Sequence, residues 1–189
     1  MKKISGLANR DPQDPRVQKT RAALLGAFNR LFLEQGYDSV TPANIAAAAG
    51  VGRSSFYEHF DGKPSLLRQS VTAVLQPLAE AASGRPVPRL SGMLAHVWDN
   101  RRFARHLLEG PPRKIIQNHL SDLIEEILRR DGVTKSASPS LIALSIAAAQ
   151  LALLEGWMSG RHACSIESFE KMIIASSAAG RTLLQQSSS

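Results

Sequence analysis

The sequence has very little cysteine and few aromatic residues. Cys164 is the only cysteine among 189 residues, and Phe, Trp and Tyr together make up 5% of the chain. A single thiol excludes a disulfide within the chain and a zinc site built from cysteines, and it fits a reducing compartment. Charged residues account for 21% of the chain and hydrophobic residues for 43%, which favours a folded core over global disorder.

Long hydrophobic runs are also lacking. The longest run, LIALSIAAAQLALL at 141–154, is shorter than the roughly 18–20 apolar residues that cross a bilayer, and it contains Ser145 and Gln150. It therefore predicts a buried helix and no membrane partner. The first residues, MKKISGLANRDPQDPR, have no apolar core of a secretory signal, so we expect a cytoplasmic protein.

Motifs of common enzymes do not occur in the sequence. There is no Gly-x-Ser-x-Gly, Walker or His-Glu-x-x-His motif. Glu125 and Glu126 are adjacent, so on a helix they point about 100° apart and do not form an acid–base pair. Four histidines have no cysteine partners and no i, i+4 spacing: His96, His106, His119 and His162. We therefore expect no enzymatic activity, no metal site and no cofactor.

Basic residues are abundant. The chain has 23 basic and 16 acidic residues, a formal net charge of +7 and a sequence pI near 10.1. This balance favours a polyanionic partner, although a basic protein with no such partner has the same composition. The excess is spread over the whole sequence, so charge alone does not locate a binding face.

The pattern of apolar residues predicts an all-α protein, since no segment alternates with the period of a strand. Polar residues 1–13 are expected to form a flexible basic arm. Helices are expected to begin at Asp14-Pro15 and Thr41-Pro42, where a capping residue precedes proline, and to end at Gly36, as a left-handed cap, and at Gly50. Further helices are expected from about 53–59, from 63 to the break at 83–89, at 90–98, at 101–108, from 111 to the loop at 132–140, at 140–158 and at 166–185.

One stretch, TPANIAAAAGVGRSSFYEHFDGK at 41–63, has the proportions of a helix-turn-helix. Phe56 and Phe60 are four residues apart, so they share one face that can anchor the second helix. Arg53 and Tyr57 share another face, which remains available to DNA. An ordinary turn between two helices of a bundle is the alternative.

Around this stretch the sequence closely resembles the TetR family of transcriptional regulators. The resemblance covers roughly residues 16–68. This range includes the preceding helix, TRAALLGAFNRLFLEQGYDSV, and the segment PSLL that follows. It implies an N-terminal three-helix DNA-binding domain at 14–63. A long fourth helix would lead into a C-terminal helical domain at 64–189 that binds a ligand and dimerises. Beyond residue 68 the sequence resembles the family only in the layout of its helices.

The resemblance also implies roles for individual residues. Phosphate or backbone contacts would come from Thr41, Ser55, Tyr57, His59 and Lys63, and base contacts from Arg53 and Ser54, with Tyr57 within reach of a base as well. Tyr57 and His59 have a structural alternative as packing residues, and Arg53 as a solvated charge. The sequence departs from the family pattern at Gly52, where a capping serine or threonine is common, at Ser54, where glycine is common, and at Pro64, where an acidic residue is common.

The rest of the chain offers candidates for a ligand cavity. The scarce aromatic residues either fill the core or line a pocket between helices. The residues chosen as pocket candidates are Met93, Trp98, Phe103, His119, Gln150 and Trp157. The last two helices, at about 140–158 and 166–185, are rich in small residues, and the resemblance implies that they form a homodimer interface.

The resemblance therefore implies a homodimeric regulator, more often a repressor, that binds a palindromic DNA operator and is released by a small-molecule effector. A helical small-molecule-binding protein whose helix-turn-helix does not bind DNA is the second hypothesis. Salt-dependent binding to promoter DNA distinguishes the two. The sequence names neither the effector nor the operator.

Overall fold

The computed structural model describes residues 14–132 and 138–186, with side chains through Thr182. Within these ranges the chain is all-α, as predicted, with nine helices and no strand. The helices are α1 (Pro15–Ser39), α2 (Pro42–Ala48), α3 (Arg53–His59), α4 (Lys63–Ala81), α5 (Leu90–Asp99), α6 (Arg101–Leu108), α7 (Pro111–Arg130), α8 (Pro139–Met158) and α9 (Ile166–Gln186). The expected basic arm at 1–13 and most of the 132–140 loop lie outside the described residues.

The predicted starts of the first two helices are confirmed. The Asp14 carboxylate accepts a hydrogen bond from the Arg16 backbone N–H at 2.8 Å, and Pro15 follows at the first helical position. Thr41 caps α2 in a reciprocal arrangement with Asn44: its Oγ1 accepts from the Asn44 N–H, and its own N–H donates to Asn44 Oδ1 at 2.7 Å. Each cap satisfies backbone donors that the first helical turn leaves unpaired.

Gly36 does interrupt α1, but not as the expected left-handed cap. Its φ is +74° and its ψ is 166°, far from the ψ near 47° of a left-handed helical residue. One more helical turn follows, and α1 ends at Ser39. That turn buries Tyr37 against Phe32, with ring centroids 6.3 Å apart. The apolar contact explains why the chain resumes helical geometry after the glycine.

The chain divides into two compact units between Leu66 and Leu67, within α4. In the first unit, α1, α2 and α3 enclose a small core. Its fully buried side chains are Leu24, Phe28, Ile45, Phe56 and Leu66. This core holds the short helices α2 and α3, which at seven residues each are too short to be stable alone.

In the second unit, α8 is the central helix and packs against both α7 and α9. By length and composition α8 is also apolar enough to cross a membrane, with a mean hydropathy of 1.7. Half of its residues are buried inside the unit, among them Ile146, Leu151 and Trp157. These contacts are those of a core helix, as the sequence predicted. Gly180 of α9 allows the close approach, because a Cβ there would lie 3.0 Å from Ile146 Cγ1.

A buried glutamine ties three helices of the second unit together. Gln150 of α8 is fully buried, and its Nε2 donates to the Leu78 carbonyl and to Ser177 Oγ, both at 2.9 Å. The Leu78 carbonyl is available because the Ala82 N–H bonds instead to Ala79 at the end of α4. Gln150 thus satisfies a carbonyl that the helix end leaves unpaired.

An ion-pair cluster joins the end of α7 to two other segments. Asp131 accepts from Arg85 at 2.8 Å and from Arg181 at 3.0 Å, and Arg181 also donates to the Ser83 carbonyl at 2.7 Å. Asp131 and Arg181 are mostly buried, at 13% and 20% side-chain exposure. We call these four residues the Asp131 cluster.

Candidate nucleic-acid interface and domain cavity

The turn between α2 and α3 depends on Gly50. Its φ is +69°, in the left-handed region that favours glycine, and no atom would lie within 4 Å of an added Cβ. The glycine is therefore required by backbone conformation and not by close packing. Gly52 caps α3 with φ −69°, which any residue adopts, and no side-chain hydrogen bond is made there. The departure at Gly52 therefore removes a capping group without changing the path of the chain.

One face of α3 is fixed in the core. Phe56 is fully buried, Phe60 is 4% exposed, and their ring centroids lie 6.1 Å apart. Arg21 of α1 covers Phe60, with its guanidinium 4.7 Å from the ring centroid, and donates to the His59 carbonyl at 3.2 Å. Phe60 itself is the C-cap of α3. The phenylalanine pair therefore sets the orientation of the helix, as the spacing predicted.

The side of α3 next to the phenylalanine face is exposed to solvent. Arg53 and Ser54 are exposed, and so is Tyr57, at 48%. The Arg53 guanidinium lies 6.0 Å from the Tyr57 ring centroid, so the two side chains share the face that their spacing predicted. Ser55 and His59 are half-buried. The start of α3 thus presents a guanidinium, a hydroxyl and a phenol to solvent.

Thr41 is exposed at the start of α2, and its hydroxyl takes part in the cap. Oγ1 lies 3.0 Å from Asn44 Oδ1, to which the hydroxyl hydrogen donates. A phosphate contact by this hydroxyl requires the hydrogen to rotate away from Asn44, while the backbone half of the cap is kept. A helix N-terminus of this kind is compatible with an anion, because its free N–H groups carry partial positive charge.

Lys63, at the start of α4, is held against the end of α1. Its Nζ donates to the Tyr37 carbonyl at 2.6 Å and lies 4.1 Å from the Tyr37 ring centroid. Burial lowers the pKa of Lys63, and the Asp38 carboxylate opposes that shift. An ammonium has three donor hydrogens, so two remain when one is bound by the Tyr37 carbonyl. All seven residues expected at a DNA interface thus lie in the first unit, at the starts of α2 and α4 and along α3.

In the second unit, two of the six pocket candidates form an aromatic stack. The Trp98 and Trp157 rings lie 4.8 Å apart, and Trp157 stacks on Phe169 at 4.4 Å. Trp157 is 3% exposed, and its Nε1–H donates to the Cys164 carbonyl at 3.2 Å. Trp157 and Phe169 are thus part of the core, and Trp98 lies against Trp157 as a half-buried ring. The stack connects α5, α8 and α9.

An apolar cavity of about 60 Å³ lies elsewhere in the same unit, and of the six candidates only Met93 lines it. Phe103 is half-exposed and does not line the cavity. Gln150 makes the contacts described above. His119 Nε2 lies 2.8 Å from Thr72 Oγ1. The cavity is lined by Val71, Val74, Leu75, Leu78, Met93, Val97, Ala104, Leu107, Leu108, Ile116, Leu151, Leu154 and Met158.

Beside it lies a polar cleft of about 240 Å³ that the sequence does not predict. It is lined by Arg105, Leu108, Glu109, Arg113, Glu155, Ser159 and Arg161. No motif marks these residues, because they come from α6, α7, α8 and the turn after α8. The signal available in the sequence is three arginines near the ends of α6, α7 and α8, a pattern of low specificity. In the described part of the chain, no group of three His, Cys, Asp or Glu side chains is placed to hold a metal ion.

Comparison with known proteins supports the interpretation of the first unit. Residues 24–69 match the family model described as "Bacterial regulatory proteins, tetR family". The chain is 41% identical over 64 residues to the HTH-type transcriptional regulator TtgR of Pseudomonas putida, which is 34% of this chain and 29% of that protein. It is 46% identical over 41 residues to the biofilm operon icaADBC HTH-type negative transcriptional regulator IcaR of Staphylococcus aureus, 22% of each chain. The matches thus span less than a third of these relatives' length.

A solved structure extends the similarity in fold to the second unit. The TetR-family regulator from Streptomyces coelicolor A3 aligns over 94% of this chain and 99% of its own, with a TM-score of 0.59 and 20% sequence identity. At this identity the likeness concerns the fold: an N-terminal helix-turn-helix unit followed by a C-terminal helical unit. The match to the TetR family model thus covers residues 24–69, which include the helix-turn-helix, and the likeness of the second unit concerns the fold.

Proposed function

We propose that this protein is a transcriptional regulator that binds a palindromic DNA operator as a homodimer, acts as a repressor in the cytoplasm, and leaves the operator when a small molecule binds its second unit. The observation that carries the proposal is the division of α3 into a buried phenylalanine face and an exposed Arg53–Tyr57 face. The buried phenylalanines hold α3 in place, and the exposed side presents Arg53 and Tyr57 to a partner.

The exposed end of α3 suits base recognition. Residues in the first turns of a recognition helix reach base edges in the major groove, and arginine pairs with guanine through two hydrogen bonds. Lys63 and the start of α2 would bind phosphates on either side. Repression is supported by the relative IcaR, a negative transcriptional regulator by name.

A homodimer is supported by uncharged faces on the last two helices. Exposed positions of α8 at i, i+4 and i+3 steps carry Leu141, Ser145, Ala149 and Ala152. Leu141 is 67% exposed, and Met172 of α9 is 43% exposed. Small and apolar residues on exposed helix faces permit close approach of a second copy. Two recognition helices in such a dimer should lie about 34–36 Å apart, or a multiple of that distance.

Ligand response is supported by the position of the cavity on α4. Lys63 begins this helix, and Val71, Val74, Leu75 and Leu78 of the same helix line the cavity. A ligand that prefers one conformation of α4 would change operator affinity, and a coupling of about 1–3 kcal/mol corresponds to about 5–150-fold.

The proposal is tested with DNA that flanks the protein's own gene. Footprinting should show protection of two related half-sites, and binding should weaken steeply with salt. Protection of one isolated half-site by a monomer would rule out operator binding as a homodimer. Absence of salt-dependent binding to any promoter DNA would favour the alternative, a small-molecule-binding protein with a non-functional helix-turn-helix.

Two substitutions assign the contacts. Arg53→Ala should cost roughly 1–3 kcal/mol and relax preference at one base pair, whereas a uniform loss over all sequences would place Arg53 on a phosphate. Lys63→Ala should weaken binding to all sequences and lower the salt slope by about one. Lys171→Ala, which removes the same charge from an exposed position on α9, is the control and should leave the slope unchanged.

A further inference from the structure

The apolar cavity and the polar cleft of the second unit are neighbours on the same three helices. Leu108 of α6 lines both. On α7, Arg113 of the cleft is one turn before Ile116 of the cavity, and on α8, Glu155 and Ser159 of the cleft directly follow Leu154 and Met158 of the cavity. A molecule long enough to pass Leu108 therefore has an apolar environment at one end and a polar one at the other.

Neither space is large enough alone for an ordinary effector. Small-molecule pockets usually measure about 300–1,000 Å³, against about 60 Å³ for the cavity and 240 Å³ for the cleft. The cavity has adaptable walls, because Met93 and Met158 line it and unbranched thioether side chains readily change shape. A thin chain that enters between them requires less rearrangement than a bulky ring.

The charges of the cleft are unequally satisfied. Arg113 donates to Glu155 at 2.7 Å and to Gln117 at 2.9 Å, so its charge is already balanced. Arg161 bonds only to the Ser159 hydroxyl, at 3.3 Å, and neither Arg161 nor Arg105 has a carboxylate partner within the described ranges. Glu109 is the remaining acid of the cleft. Three guanidinium groups against two carboxylates leave the cleft with a positive balance.

We propose that the effector is an amphiphile with a carboxylate head and an unbranched apolar chain, the carboxylate bound by Arg105 and Arg161 and the chain inserted past Leu108 into the cavity. This assignment rests on the proposed function. A guanidinium binds a carboxylate through two parallel hydrogen bonds, so the arginines select the charge and geometry of the head. The cavity, which is lined only by apolar side chains, selects the chain.

The test compares three probes of equal chain length with different heads: decanoate, decanol and decylamine. Binding to the full-length protein is measured by isothermal titration calorimetry below the aggregation concentration of each probe. Decanoate should bind about tenfold or more tightly than decanol, since hydrogen bonds to charged groups are the stronger ones. Decylamine should bind most weakly. Equal affinity for all three, or no binding of decanoate, would overturn the proposal.

Variants separate the two ends of the site. Arg105→Gln combined with Arg161→Gln should reduce decanoate affinity to that of decanol and leave decanol affinity unchanged. Arg102→Gln, an exposed arginine of α6 that lines neither space, is the matched control and should change nothing. Ala104→Leu should weaken both probes by filling the cavity, and its melting temperature reports whether the fold is kept. If the double variant binds decanoate as the parent does, the assigned head site is wrong.

Operator binding in the same samples distinguishes the two proposals. If decanoate binds with the stated selectivity but leaves the protein on DNA, the ligand class stands and release by the ligand fails. If decanol releases the protein from DNA as well as decanoate does, the regulatory function stands and the assigned ligand class is overturned.

Discussion

The two units of this chain differ in where their polar side chains lie. In the first unit they surround short helices and face solvent, as Arg53 and Tyr57 do on α3, while the core is almost wholly apolar. In the second unit, long helices bury polar groups that bond across large sequence separations, as Gln150 does with Leu78. The apolar core of the first unit thus positions exposed side chains, whereas in the second unit buried polar contacts fix the helices relative to one another.

The sharpest test of this contrast is Phe56→Ala. Phe56 is fully buried at the centre of the first unit, and removing a buried phenylalanine costs about 3–5 kcal/mol. Tyr57→Ala, one residue later, should cost less than about 1.5 kcal/mol, because the tyrosine contributes an exposed aromatic contact with Phe56 at 5.2 Å. Urea unfolding followed by circular dichroism, at one protein concentration, measures both. Equal losses would mean that α3 has no distinct buried and exposed faces.

The corresponding change in the second unit is Gln150→Leu. It removes the donor from the Leu78 carbonyl and Ser177, so we expect a loss of about 1–3 kcal/mol despite the added apolar surface. Asn118→Leu on α7 is the control and should stay within about 0.5 kcal/mol, because Asn118 is exposed. A Gln150→Leu protein as stable as the parent would show that the buried amide contributes nothing net to the packing of α4, α8 and α9.

Backbone conformation gives a smaller test within the first unit. Gly50→Ala should cost about 1–2 kcal/mol, because φ is +69° and no contact would compensate the strain. Gly26→Ala in the middle of α1 should instead stabilise by about 0.5–1 kcal/mol, since Gly26 is exposed, helical and has open space around its Cα. Thermal unfolding should therefore move in opposite directions for two otherwise identical substitutions.

The smallest expected effect is a pH dependence of the second unit. Burial lowers the pKa of His119, Asp122 opposes this and Arg68 adds to it. Since the folded pKa lies below the unfolded one, the folded state binds fewer protons, and the free energy of unfolding falls as pH drops below about 6.5. His119→Gln should flatten that fall between about pH 7 and 5. The measurement is the free energy of urea unfolding at a series of pH values. Parallel curves of this free energy against pH for the parent and His119→Gln would contradict the prediction.

The same contrast explains what the sequence could predict. Asp14 and Thr41 cap helices through bonds to residues two and three positions away, so their signals are local and both helix starts were found. The faces of α3 follow from a four-residue spacing. The sequence makes Trp98 and Trp157 pocket candidates, but in the structure their rings lie against each other. The sequence does not predict this contact, because it depends on how α5 and α8 pack. The arginines of the cleft were missed for the same reason, since three helices and a turn bring them together.

The Asp131 cluster has a consequence for rates. Its bonds join residues 46, 50 and 98 positions apart, so each closes a long loop at an entropic cost. Contacts of this kind are expected to be absent from the transition state for folding and present in the folded state. Their loss then accelerates unfolding and leaves the folding rate almost unchanged. In a chain with a single cysteine, the cluster therefore contributes to the lifetime of the folded domain, a role that a disulfide has in many secreted proteins.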